Sequence, residues 1–260
     1  LAYRRAVTPH FPFPLSHLPL PMTCLNALGQ PVGDPLPDWT PPPSPAAKPL
    51  IGRYCRLEPL DAARHGAALF AAFAADRTGA NWTYLPYGPF ADEAAFTAWL
   101  ASVAGGSDPL FFAVIDANGQ ACGIVSYLRI TPAHGCIEIG HLHFSEALKH
   151  TPAATEALWL LLREAFALGY RRVEWKCNAL NAPSRRAAQR LGFSFEGVFR
   201  QANVSKGRNR DTAWYGMIDA DWPALAAAFD QWLVPDNFDA ADHQRASLSA
   251  LTRPLLVAVG

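Results

Sequence analysis

Charge is scarce in this 260-residue chain: 17% of residues are charged, and 22 basic side chains are matched by 22 acidic ones. That balance excludes a binder of nucleic acid or anionic membrane that works by bulk charge. Cysteine is sparse too. Cys24, Cys55, Cys122, Cys136 and Cys177 include no C-x-x-C pair, and their number is odd. This argues against a disulfide framework and against a cysteine zinc site. Scattered thiols of this kind behave as small buried apolar groups in a reducing compartment. No apolar run approaches the roughly 18 residues of a membrane span. The start of the chain carries Arg4, Arg5 and several prolines in place of the continuous apolar stretch of a secretion signal. The expectation is a cytoplasmic protein with no membrane and no nucleic-acid partner.

What is present in quantity is apolar surface, half of all residues, enough for a substantial core. Proline is unevenly placed. More than half of the 23 prolines precede Leu50. Proline fixes φ and removes a donor, so residues 1–47 read as an irregular or polyproline-like leader. Met22 is the first methionine. Residues 1–21 are therefore expected to be upstream read-through or added sequence, a hypothesis that mass spectrometry of the endogenous protein would test. Residues 48–233 read as one domain, and 234–260 as a tail with room for one short helix.

Within the domain, hydrophobic period assigns the elements. Arg53–Leu57 predicts a strand, Asp61–Ala75 a helix, and Asp92 the start of another with Phe96, Trp99, Leu100 and Val103 on one face. Leu110–Ile115 and Cys122–Ile130 predict two strands joined by a turn at Asn118-Gly119. Ile137–Phe144 is a further strand. Pro152–Leu168 is the strongest helix, with Leu158, Leu161, Leu162, Ala165 and Phe166 on one stripe, Thr151 at its cap and Gly169 after its end. A strand over Val173–Cys177, a short helix over Asn181–Leu191, two strands around 195–204 and 212–218, and a helix over Trp222–Leu233 complete the pattern. The crossover from 144 to 172 is long enough to make its flanking strands parallel. The layout is mixed α/β.

The stretch 137–218 carries the chemistry. A strand running through Ser145–His150 into Thr151-Pro152-Ala153-Ala154-Thr155 presents a helix start rich in small residues, which is either an anion site or an ordinary capped helix. Farther on stand Asn181-Ala182-Pro183-Ser184, then Leu191-Gly192-Phe193 and Glu196-Gly197. With the preceding Gly169-Tyr170-Arg171-Arg172, these residues resemble the GNAT superfamily of acyl-CoA-dependent N-acetyltransferases over roughly residues 50–220. The likeness is nearest to the branch that acetylates ribosomal-protein N-termini and small-molecule amines.

The resemblance implies a mostly antiparallel sheet whose two central parallel strands splay around a CoA site, with helices on both faces. It implies acetyl-CoA as co-substrate and no metal. Its pyrophosphate loop aligns with Lys149–Ala154, where Pro152 replaces the family's glycine and has no N–H to donate. Donors are then expected from Thr151, Ala153, Ala154 and Thr155, with charge from Lys149. The strand Leu142-His143-Phe144 would meet the pantetheine arm through its backbone. Asn181 would contact the same arm or simply cap its helix. The tyrosine that many members place later in this helix is Ala188 here. In this branch a serine at the position of Ser184 is proposed to protonate the leaving thiolate; the plainer reading is a polar residue in a first helical turn.

The amine must lose a proton. Glu138 is the favoured base, since partial burial would raise its pKa. The branch's other carboxylate position matches Asn203, which cannot act, and Asp211 is weaker. His141 and His143 lie two apart on one strand and so share a face, while Glu138 has the opposite parity in an unbulged strand. The three would not converge on zinc, and His141 is left as a substrate-side group. Arg186 or Arg185 could meet the 3′-phosphate, unless they are a solvated helix face. Trp82 and Tyr84, with Tyr87 and Phe90, form an aromatic loop that either walls the acceptor pocket or packs beneath it. The acceptor is a small-molecule amine or a protein N-terminus, and a homodimer is left open. The rival reading is a non-catalytic acyl-CoA sensor, which Pro152, Ala188 and Asn203 favour.

Overall fold

The computed structural model describes residues 24–240 and 243–260; the expectation about Met22 and residues 1–21 lies outside them. Leu1–Thr40 and Pro41–Gly260 are separate compact units. In the described part of the first, β1 (Cys24–Leu25) pairs antiparallel with β2 (Pro31–Val32). Asn26 Oδ1 accepts from the amides of Leu28 and Gln30 across the turn between them.

The second unit is built on an eight-stranded sheet in the order β3-β4-β5-β6-β7-β8-β10-β9. The strands are β3 (Leu50–Ile51), β4 (Arg56–Pro59), β5 (Leu110–Ile115), β6 (Ala121–Thr131), β7 (Cys136–Phe144), β8 (Arg172–Asn178), β9 (Ser194–Ser205) and β10 (Arg208–Ile218). Every neighbouring pair is antiparallel except β7 and β8, which run parallel. The helices are α1 (Ala62–Phe73), α2 (Glu93–Val103), α3 (Pro152–Ala167), α4 (Ala182–Arg190), α5 (Trp222–Trp232) and α6 (Leu248–Thr252).

Alternation along the strands divides the core in two. Phe111, Ala113, Ile115 and Ile124 pack with α1 and α2 through Leu69, Phe73, Phe96 and Leu100. The intervening Phe112, Val114, Val125 and Tyr127 face α3, α4, α5 and α6 through Leu158, Leu161, Leu191, Phe229 and Leu248. Helices therefore cover both faces, which is the mixed α/β arrangement expected from the element order. The cap anticipated at Thr151 forms, and Asp61 and Asp92, expected to begin their helices, cap them instead, each of the three side chains accepting from the backbone N–H three residues on.

The strand expected over Arg53–Leu57 is a correction. Pairing begins only at Arg56, because the Glu156 carboxylate of α3 accepts from the amides of Arg53, Tyr54 and Cys55 at 2.6–2.9 Å. A carboxylate one hundred residues away thus draws three amides out of the sheet. Residues 234–260 belong to the same unit: Leu248 and Thr252 are fully buried, and Phe195 donates its amide to Ala258 O at 3.0 Å.

Candidate active site

The parallel pairing of β7 and β8 is brief. It runs Cys136–Arg172, Ile137–Val173 and Glu138–Glu174, then stops. Beyond Glu138, β7 stays paired to β6 as far as Phe144. Its other edge, over residues 139–144, faces the gap toward β8, and among the described residues no strand pairs with it. Backbone groups on such an edge seek a partner. An extended ligand could take strand-like hydrogen bonds here, and Leu142, His143 and Phe144 line the edge.

A bulge re-aims the side chains here. Gly140 pairs with Ser126 and His143 with Ile124, so His141 and Leu142 together oppose Val125, and His141 takes φ +52°. The bulge corrects the parity expected for an unbulged strand. It turns His143 onto the face that carries Glu138, the α1–α2 side. Among the described residues no group of three or more His, Cys, Asp or Glu side chains is arranged to hold a metal.

Both histidines lie in aromatic surroundings. His143 is 3% exposed. Its ring stacks on Trp82 at 3.8 Å and meets Phe73 edge-on at 4.1 Å, and neither ring nitrogen has a hydrogen-bond partner. His141 Nδ1 lies 3.1 Å from Tyr87 Oη. Burial pushes both imidazoles down to about 4, so both are neutral near pH 7.

Glu138 is 5% exposed. Burial raises its pKa, partly offset by Lys176 Nζ at 3.0 Å and Arg129 Nε at 3.3 Å. The ion pairs continue sideways: Lys176 to Glu174 at 2.6 Å, Glu174 to Arg172 at 2.9 Å, and Arg172 to Glu196 through both guanidinium nitrogens at 2.6 Å. Gly216 leaves room for this chain, since a Cβ there would lie 2.5 Å from Arg172 Nη1 and push the ion pair aside. Lys176 also sits 3.8 Å from the Trp214 ring centroid. Sequence reasoning missed Lys176. The signal was its place between Trp175 and Cys177, whose alternation sends the intervening residue to the opposite face.

On the α3–α4 side of the gap, Asn181 caps α4 by accepting from Ser184 N at 3.2 Å. Ser184 Oγ accepts from Trp175 Nε1 at 3.0 Å. The indole fills an acceptor position, and the hydroxyl also bonds the Cys177 thiol, whose pKa burial raises and this bond lowers in part. Ala188 is fully buried, so the later turn of α4 packs against the core.

The helix start offers fewer donors than expected. Thr151 N donates to Leu148 O at 3.3 Å, Thr151 Oγ1 caps the amide of Ala154 at 3.2 Å, and Pro152 has no N–H. Helix geometry pairs the Thr155 amide within the first turn, and Thr155 Oγ1 accepts from Arg190 at 3.0 Å. Ala153 alone keeps an unclaimed amide. Lys149 turns to Asn81 and Glu146 at 2.5 and 2.6 Å. Arg185 is pinned by Tyr215 Oη and Ala179 O, whereas Arg186 is exposed.

The aromatic loop is strapped across this region. Trp82 is buried and Tyr84 donates to Leu180 O at 3.2 Å. Lys206, in the β9–β10 turn, donates to both Trp82 O and Gly88 O at 2.8 Å. Gly88, at φ +62°, admits the Trp82 ring where a Cβ would stand 2.5 Å from it. Lys206 was not singled out as a site residue, because long-range contacts of a turn lysine leave no local sequence signal.

A sheet opened between two central parallel strands, with a polar helix start at the gap, defines an acyl-CoA-dependent acyltransferase fold. The family model described as "Acetyltransferase (GNAT) domain" matches residues 55–194. A GCN5-related N-acetyltransferase from Brucella melitensis is 49% identical, covering 84% of this chain and all of its own, with a TM-score of 0.82. A probable GNAT-family acetyltransferase from Chromobacterium violaceum is 48% identical over 75% of this chain and 98% of its own, TM-score 0.70. The RimL ribosomal L7/L12 alpha-N-protein acetyltransferase shares the fold at 20% identity, TM-score 0.57, over 69% of this chain and 98% of its own. No curated protein matches. The chain belongs to the GNAT acetyltransferase family, whose fold supports acyl transfer from acetyl-CoA.

Proposed function

We propose that this chain is an N-acetyltransferase that moves an acetyl group from acetyl-CoA to a primary amine by direct attack in a ternary complex. Acetyl-CoA, when bound, supplies the acetyl group activated as a thioester. The unpaired edge of β7 over residues 142–144 would hold the pantetheine arm by strand-like hydrogen bonds and polarise the reacting carbonyl with a backbone N–H. Ala153 N–H and the exposed Arg186 would meet its phosphates. Because only one amide at the helix start is unclaimed, the β7 edge carries more of this binding than the phosphate loop does.

Ser184 donates its proton at the sulfur end of the gap, with Trp175 holding its oxygen in place. Glu138, or water it orients, takes the proton released by the amine, its raised pKa suiting a base. His141, bonded to Tyr87, borders the acceptor side, together with Tyr84. Positioning of two bound reactants provides much of the rate. The observation that carries the reading is the open edge of β7 over residues 139–144, at the gap that Ser184 borders. That serine and the buried carboxylate favour catalysis over a silent acyl-CoA sensor.

Isothermal titration with acetyl-CoA, paired with an acetylation screen over small amines and N-terminal peptides, tests it. Binding together with an acetylated amine supports the reading. Binding without any product would favour the sensor, and absence of binding would sink both. Peptides belong in the screen because the RimL likeness, though one of fold alone, makes a protein N-terminus a worthwhile acceptor.

A further inference from the structure

Three buried polar atoms without hydrogen-bond partners fall on alternate residues of one strand: Arg210 Nε, Thr212 Oγ1 and Trp214 Nε1 of β10. Buried polar groups in folded proteins ordinarily find partners, so a run of bare ones on a single strand points to something that binds there. Their face is that of the candidate site. Thr212 lies opposite Asn178 and Trp214 opposite Lys176, while Ala213 between them packs with Cys177 in the core on the other side. Thr212 is 3% exposed.

The buried charges around them are paired. Lys176 is shared by Glu138 and Glu174, Arg172 by Glu174 and Glu196, and Arg129 pairs with Glu138. Lys206 is spent on two carbonyls. Arg210 Nε is buried with no hydrogen-bond partner, and Arg210 is in none of the ion pairs among the described residues. An uncompensated guanidinium beside a free hydroxyl and a free indole N–H is the complement of an anionic oxygen group. Lys176 links this patch to Glu138, touching the Trp214 ring on one side and the carboxylate on the other. A molecule anchored on β10 would therefore present its amine within one side chain of the proposed base.

Resting on the acetyl-transfer reading, we infer that the acceptor amine carries an anionic oxygen group, a carboxylate or a phosphate, and that Arg210, Thr212 and Trp214 are the specificity determinants that hold it.

Steady-state kinetics with acetyl-CoA and two matched acceptor pairs test this: β-alanine against β-alaninamide, and phosphoethanolamine against ethanolamine. The expected result is a preference of about tenfold or more in kcat/KM for the charged member of at least one pair, expressed in KM. The favoured pair distinguishes carboxylate from phosphate. Arg210→Met should abolish the preference and Arg210→Lys should restore part of it, with acetyl-CoA affinity and Tm as the folding controls. Equal use of both members in both pairs, or a preference that survives Arg210→Met in a folded protein, would overturn the inference alone. Acetyl-CoA binding with no acetylated amine of any kind would overturn it together with the acetyl-transfer reading.

Discussion

Ser184 and Glu138 stand on opposite sides of the gap with environments suited to opposite tasks. Trp175 fills an acceptor position on Ser184 Oγ, so its proton points elsewhere, to the Cys177 thiol or, in the proposed reaction, to the leaving sulfur. Burial holds Glu138 above the ordinary carboxylate range, so it is set up to accept. A base must be ionised to act, hence kcat/KM should rise with pH through that raised pKa before the amine's own deprotonation adds a second rise. Glu138→Gln should remove the lower rise and reduce the plateau by roughly 10²–10⁴-fold. A lower rise that persists in the variant would take Glu138 out of the role. The histidines cannot supply that limb, since both are already neutral above about pH 4.

His143 has a consequence for stability instead. Its folded pKa lies below the ordinary imidazole value, so its neutral form stabilises the fold fully above about pH 6.5. That contribution is lost as pH falls from there through about 4, in the end on the order of 3 kcal/mol. His143→Phe keeps an aromatic ring between Trp82 and Phe73 and forfeits no hydrogen bond. Thermal melts between pH 7 and 4 should show a smaller acid loss for this variant than for the native chain. Parallel curves would contradict the assignment.

At the level of elements, the gap and the loop over it were legible to different degrees. The long crossover between residues 144 and 172 announced a parallel pair, and the hydrophobic period located most helices and strands. The bulge at His141 was not legible. It rests on pairing with β6, and it reverses the face of His143 although the local pattern still alternates. The helix start was half legible: Pro152 showed one missing donor, but the amides claimed by Thr151 Oγ1 and Leu148 O depend on cap geometry. The strap of Lys206 on the aromatic loop is likewise a tertiary contact. Lys206→Met should increase hydrogen exchange across residues 80–90 several-fold while Tm changes by only a few degrees, because hydrogen bonds to a charged group typically contribute about 1.5–3 kcal/mol and this one lies near the surface. Unchanged exchange in the loop would show that its aromatic packing suffices to hold it.

Over the whole unit Pro41–Gly260, apolar content foretold a substantial core, which the sheet divides in two, and the last 27 residues look weakly patterned as sequence. Their place is nonetheless interior. Leu248 and Thr252 are fully buried, Phe238 packs edge-on against Trp232, and Thr252 donates to Arg190 O on α4. The C-terminal segment thereby braces the helix that carries Ser184. Leu248→Ala should cost about 2–5 kcal/mol, or roughly 4–20 °C in Tm for a unit of this size. A loss under about 1 kcal/mol would mean the segment is peripheral.

The central claim is that the gap between β7 and β8 performs acetyl transfer with Ser184 as the proton donor. Amine-dependent thiol release from acetyl-CoA, measured for the native chain and for Ser184→Ala at saturating substrates, tests it most directly. The account predicts turnover by the native chain and a kcat lower by roughly 10²-fold in the variant, with acetyl-CoA affinity nearly unchanged. Equal kcat in the two proteins would contradict it.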